Sequence, residues 1–135
     1  MPDITGVAHV ELSVRDLETS VAWYSRLLGA RDVFRAESEE WGTRACAIYE
    51  PKSHLVLAFT QHFTREPDAF SPRRAGLDHL SFGVADRSAL EGWVAWLDEL
   101  GIPHSPVQDD QVPVSVTFTD PDGIALELSY PRRRD

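Results

Sequence analysis

At 135 residues the chain has the length of one ordinary domain, long enough to bury a core and too short for two independent enzymes. Its 42% hydrophobic and 26% charged residues match a globular protein, no apolar run approaches the roughly 18 residues of a membrane span, and a net charge of −9 repels phosphate backbones and so argues against nucleic acid as partner. The lone Cys46 forms no internal disulfide and the N-terminus lacks the basic, apolar and small-residue order of a secretory leader, so a cytoplasmic protein is expected.

The first element is read from GVAHVELSV. Val10, Leu12 and Val14 are apolar and alternate with His9, Glu11 and Ser13, which predicts a strand with one buried face. Asp16 then offers an N-cap, Leu17, Val21, Tyr24 and Leu28 recur at helical spacing, and Gly29 closes the helix. Three strands follow, at about 31–36, 43–49 and 54–60. Between the first two lies the acidic stretch ESEEWGT, whose Trp41 is either a lid residue over a ligand or a partly covered loop aromatic. Residues 61–75, QHFTREPDAFSPRRA, carry two prolines and mixed charge and read as a linker.

From Gly76 the same order returns. GLDHLSFGVADRSALEGW aligns without a gap on the segment 70 residues earlier, placing Gly76 on Gly6, His79 on His9, Asp86 on Asp16 and Trp93 on Trp23. Asp86 caps a helix with the stripe Leu90, Trp93, Val94, Leu97 and Leu100, and Gly101 ends it; Trp23, Trp93 and Trp96, at helical spacing, read as core. Strands are expected at about 103–107, 112–119 and 124–130, with DPDG forming a tight turn before the last. A short basic tail, residues 131–135 with Arg132, Arg133 and Arg134, reads as a solvated end. The expected fold is α+β: one domain, residues 1–135, of two tandem βαβββ modules at about 5–60 and 76–130. A pseudo-twofold axis would relate them, their sheets curling into a cup-like, partly open eight-stranded mixed sheet or barrel around a shared concavity.

The repeat selects the candidate site. His9 and His79 occupy equivalent places on the polar side of the two first strands, so the pseudo-twofold sets them facing each other. Glu127 in GIALELSY points away from the apolar Ile124, Leu126, Leu128 and Tyr130, and a carboxylate so flanked needs a cation or a proton. Two imidazoles and one carboxylate make a facial triad that leaves coordination positions open on a divalent ion, Fe(II) first, with Mn(II), Ni(II) or Zn(II) as alternatives. The bland alternative is a His and Glu hydrogen-bond cluster that ties the modules together. His54, His62 and His104, near strand ends or in the linker, are candidates for acid, base or substrate contact, with His62, directly after the fourth strand, the first choice. Trp41, Leu57 and Phe59, with Ala45 and Ala47, are candidates for an apolar substrate wall, strand parity deciding which of them face it.

GVAHVELSVRDLETSVAWYSRLLG, GLDHLSFGV and FTDPDGIALELSY together resemble the vicinal oxygen chelate superfamily, which includes glyoxalase I, extradiol dioxygenases, fosfomycin resistance enzymes and bleomycin resistance proteins; the resemblance spans almost the whole chain. It implies a metal held by His9, His79 and Glu127, a small-molecule substrate chelated through vicinal oxygens, and a homodimer. The four-ligand members carry a further Glu or Gln at the repeat partner of Glu127. Here that partner is Leu57 at offset 70, or Val56 or Ala58 one residue to either side, none of which binds a metal. A three-ligand centre resembles the extradiol dioxygenases and the fosfomycin-modifying enzymes, and the expectation is a metal-dependent enzyme with extradiol-dioxygenase-like chemistry. The alternative is a bleomycin-resistance-like protein that sequesters a small molecule without catalysis.

Overall fold

The computed structural model describes residues 1–132, so Arg133 and Arg134 of the basic tail lie outside the described residues. The chain divides into two compact units that meet in sequence between Asp68 and Ala69, inside the stretch expected to be a linker.

Unit 1 holds β1 (Val10–Ser13), α1 (Leu17–Leu28), β2 (Arg31–Ser38), β3 (Thr43–Glu50) and β4 (Leu55–His62). Its sheet runs β1-β4-β3-β2, with β1 parallel to β4 and the remaining pairs antiparallel. The helix begins where the Asp16 carboxylate accepts the Thr19 amide N–H at 2.8 Å, and it ends at Gly29, whose φ of 65° lies in the left-handed region. Leu17, Val21, Tyr24 and Leu27 are buried along its inner stripe against the sheet, and the Tyr24 ring meets Phe59 of β4 at 4.8 Å. A Cβ at Gly29 would touch nothing, so only the backbone conformation resists a side chain there. Gly29→Ala is therefore expected to cost about 1 kcal/mol, read as a lower urea midpoint at unchanged slope; an unchanged midpoint would mean that positive φ is not needed at this turn.

Unit 2 holds β5 (Leu80–Gly83), α2 (Arg87–Glu99), β6 (Val114–Thr119) and β7 (Ala125–Tyr130), in a sheet of order β5-β7-β6. Asp86 caps α2 through the Ala89 N–H at 2.9 Å, and Leu90 and Leu97 are fully buried, as are Val114, Val116, Leu126 and Leu128. The tryptophans expected in the cores, Trp23, Trp93 and Trp96, are only half-buried, because Leu17, Tyr24 and Leu27 in α1 and Leu90 and Leu97 in α2 take the centre of the stripe.

The structure corrects the expected strand count. Among the described residues there are two separate sheets of four and three strands, not an eight-stranded sheet or a closed barrel. The missing strand is the one expected at 103–107, where His104 and Gln108 form only isolated bridges to Phe118 and Ser115. Pro103 and Pro106 bracket this segment, and neither carries an N–H to donate to a ladder.

A second correction concerns register. Val10 pairs with Leu57 in unit 1, whereas Leu80, its repeat partner 70 residues on, pairs with Leu126. The last strands are thus related by 69 residues, and the counterpart of Glu127 is Ala58 rather than Leu57. The turn before the last strand accounts for it: Pro51 to His54 in unit 1 is one residue longer than Pro121 to Gly123 in unit 2. Both turns are closed by an acid at the same place. Glu50 accepts the N–H of Lys52 and Ser53, and the buried Asp120 accepts those of Asp122 and Ile124. His54 (φ 60°) and Gly123 (φ 78°) take the left-handed residue before the strand.

One residue of slip exchanges the two faces of a strand. Leu57 and Phe59, candidates for a substrate wall, instead pair with Ile48 and Cys46 on the face covered by α1, and both are completely buried in the core of unit 1. The opposite, open face carries Val56, Ala58 and Thr60 of β4, Ala45, Ala47 and Tyr49 of β3, and Phe34 and Ala36 of β2. This face is apolar, as expected of a wall, but it is built from the neighbours of the residues selected from sequence. Trp41 sits at the turn between β2 and β3 and is 76% exposed.

Candidate metal half-site in unit 2

β7 is the central strand of the unit 2 sheet, and Glu127 at its middle is paired with Ser81 on one side and Thr117 on the other. Alternation turns Leu126 and Leu128 into the core and leaves Glu127 on the open face. There the Ser81 hydroxyl donates to Glu127 Oε1 at 2.8 Å and also lies 2.8 Å from the Ser129 hydroxyl, so two serines hold one carboxylate in place.

His79 stands one residue ahead of β5 and two ahead of Ser81, on the same side of the strand. Its Nδ1 lies 2.7 Å from Asp78 Oδ1. With the Nδ1–H donated to Asp78, the neutral ring carries its lone pair on Nε2, the arrangement by which a carboxylate orients a metal-binding imidazole. The Asp78 contact, and more weakly the charge of Glu127, holds the His79 imidazolium form above its ordinary range against the opposing effect of burial. His79, Asp78 and Glu127 line one open pocket of about 570 Å³, together with His104 and the apolar Phe118 and Leu126.

The structure thus brings together two of the three expected ligands, His79 and Glu127. His9, the third, is exposed in unit 1, in the equivalent place one residue before β1. Among the described residues, no group of three or more His, Cys, Asp or Glu side chains stands ready to hold an ion. The donors of unit 2 nevertheless fit a divalent ion chemically, since one imidazole nitrogen and one carboxylate are each fixed by a hydrogen bond from the side.

His62, the candidate acid or base, is exposed at the end of β4 opposite Thr43, on the open face of unit 1. His54 is engaged elsewhere, 2.6 Å from the Tyr49 hydroxyl. His104, a further candidate acid, base or substrate contact from the sequence, lines the pocket. Its Nδ1 reaches Ser105 O at 2.7 Å and its Nε2 reaches Asp98 Oδ1 at 2.8 Å, two acceptors that only an imidazolium can serve at once. Asp78 and Ser81 were missed, although each left a signal: an acid adjacent to a histidine, and a hydroxyl two residues after it on the polar side of the strand.

The Ser105 carbonyl and then Asp98 raise the His104 pKa above its ordinary value, so this group stabilises the fold fully below the unfolded value of about 6.5, and that share is lost as pH rises through the folded value. Urea unfolding across the imidazole range is expected to show a decline on the alkaline side that His104→Gln removes. Parallel pH profiles for the two proteins would contradict the doubly donating ring.

The family model described as Glyoxalase/Bleomycin resistance protein/Dioxygenase superfamily matches residues 6–128. A crystal structure of a glyoxylase/bleomycin resistance protein/dioxygenase domain from Frankia sp. EAN1pec superposes with a TM-score of 0.86 at 32% identity, covering 98% of this chain and 96% of that one. The metallothiol transferase FosB of Staphylococcus epidermidis is 27% identical over 93% of this chain and 82% of its own length. The metapyrocatechase of Geobacillus stearothermophilus is 29% identical over 95% of this chain but only 35% of its own length.

Proposed function

Because the chain belongs to the glyoxalase/bleomycin resistance protein/dioxygenase superfamily, we propose that it is a metal-dependent enzyme in which His9, His79 and Glu127 hold one divalent ion and a small organic substrate binds through two neighbouring oxygens. The observation that carries this reading is the His79 and Glu127 pair, each side chain fixed by a dedicated partner, Asp78 and Ser81, in one pocket. When bound, the ion supplies a Lewis acid that draws electron density from a substrate oxygen.

The chain's own residues do the rest. Asp78 fixes the tautomer that presents His79 Nε2, and Ser81, backed by Ser129, holds Glu127 against rotation. Pro72, Pro103 and Ala125 add apolar surface to the pocket lining, and His104, held by Ser105 and Asp98, places an imidazole in the same lining. Trp41 and His62 stand as exposed candidates for closing over substrate and for proton transfer.

Within the superfamily we favour oxygen-dependent cleavage of a catechol-like ring with Fe(II), because two histidines and one carboxylate leave positions open for substrate and oxygen; Mn(II), Ni(II) or Zn(II) would direct the same ligands elsewhere. Thiol transfer, the activity in FosB's name, is the second reading, favoured by this chain matching 82% of that relative's length. We read residues 1–135 as a single domain that works as a homodimer in the cytoplasm. The test is plasma mass spectrometry on protein purified without tag or chelator, followed by oxygen-electrode and thiol-consumption assays on the loaded protein. Oxygen uptake with catechols supports the first reading and thiol consumption the second. No ion retained after reconstitution with each metal would leave small-molecule sequestration as the better account.

A further inference from the structure

The two open faces, taken separately, each carry one carboxylate with a hydroxyl beside it, in a different order. In unit 2 the adjacent positions on that face are Ser81 on the first strand and Glu127 and Ser129 on the last. By register, the same positions in unit 1 are Glu11 on β1 and Ala58 and Thr60 on β4. The carboxylate absent at Ala58 is therefore present one strand away, at Glu11. It is held in the same way, by a hydroxyl from the neighbouring strand: Thr60 Oγ1 donates to Glu11 Oε1 at 2.7 Å, as Ser81 Oγ donates to Glu127 Oε1 at 2.8 Å.

Two further observations separate Glu11 from an ordinary solubilising acid on an edge strand. It is the only acidic residue that the register of β1–β4 places on that face, where its neighbours Ala58, Ala47, Ala45, Ala36 and Phe34 are apolar. It also follows His9 by two residues, and strand alternation sets both side chains on the same side. Each unit thus presents one histidine just ahead of its first strand and one hydroxyl-anchored carboxylate beside it.

We infer that Glu11 is a metal ligand in its own right, binding the same ion as His9 and supplying from the first strand the carboxylate that Ala58 does not supply from the last. Unit 1 then offers one histidine and one anchored carboxylate, as His79 and Glu127 are offered in unit 2. Two anionic ligands neutralise a divalent charge, and a further oxygen donor favours harder ions such as Mn(II) over Zn(II).

This inference rests on the metal reading above, and the experiment separates the two. Mn(II) is titrated into apo-protein and followed by the electron paramagnetic resonance signal of free ion, for the full chain and for Glu11→Gln, Thr60→Val and Glu39→Gln. Glu11→Gln keeps shape and hydrogen bonding on an exposed position, and a thermal melt checks that it folds. The expected result is weakening of Mn(II) binding by at least about 10- to 100-fold in Glu11→Gln, the range seen for a lost outer-shell partner, a smaller weakening in Thr60→Val, and none in Glu39→Gln. Equal affinity of Glu11→Gln and wild type would overturn the inference while leaving the three-ligand centre intact. Absence of binding in the wild type, with Mn(II) and with each other ion, would overturn both.

Discussion

His79→Ala and Glu127→Ala are each expected to release the bound ion from the purified protein, with an affinity loss well beyond about 100-fold. The argument is comparative. Loss of an outer-shell partner already costs on the order of 10- to 100-fold, and these substitutions remove the donor atoms themselves. Asp78→Asn supplies the graded comparison: it keeps the side chain's shape but weakens the hold on His79 Nδ1, so it should fall inside that outer-shell range. His9→Ala should match His79→Ala if one ion is shared. The measurement is metal content by plasma mass spectrometry, with affinity from competition against a chromophoric chelator. A Glu127→Ala protein that keeps its ion would show that Glu127 is only a hydrogen-bond acceptor for Ser81, and the proposed centre would have to be abandoned.

Phe59→Ala carries the largest expected effect on stability, about 3–5 kcal/mol. The ring is completely buried, faces Tyr24 at 4.8 Å and pairs across strands with the buried Cys46, so its removal leaves a cavity that α1 and the sheet cannot easily close. Thermal or urea unfolding reads the change directly. Trp41→Ala, at a turn and 76% exposed, should stay within about 0.5 kcal/mol of wild type. If Phe59 instead lined a ligand wall, its loss would hardly move the melting point and would appear in ligand affinity; that outcome would refute the assignment of faces in unit 1.

Much of this molecule was legible in its residues because local physics and tertiary structure agree there. The alternation around Leu12 and Val14, the Asp16 and Asp86 caps and the glycines after each helix specify strand and helix without help from distant contacts. The repeat singled out His79, and the alternation of GIALELSY singled out Glu127 on the open side of its strand. What could not be read depended on where a difference in length was absorbed. Aligning Pro51 with Pro121 is correct, but the extra residue after it shifts everything downstream, and parity then assigned Leu57 and Phe59 to the wrong side. The strand expected at 103–107 failed for a different reason: the repeated layout called for it, but Pro103 and Pro106 have no N–H to donate to a ladder. Asp78 was missed because its importance lies in the direction of a hydrogen bond, which no spacing rule encodes.

The unequal turns before β4 and β7 also bear on how the two halves can diverge. A residue added between Pro51 and His54 is absorbed by a solvent-exposed reversal, and every side chain beyond it keeps its face. The same addition inside β4 would invert the strand, sending Leu57 and Phe59 outward and Ala58 into the core. Along β4 length can therefore drift at the reversal before it, while the inventory of each face changes one substitution at a time. A carboxylate can then migrate between neighbouring strands, as between Glu11 and Ala58 on one side and Ser81 and Glu127 on the other, without any backbone having to move.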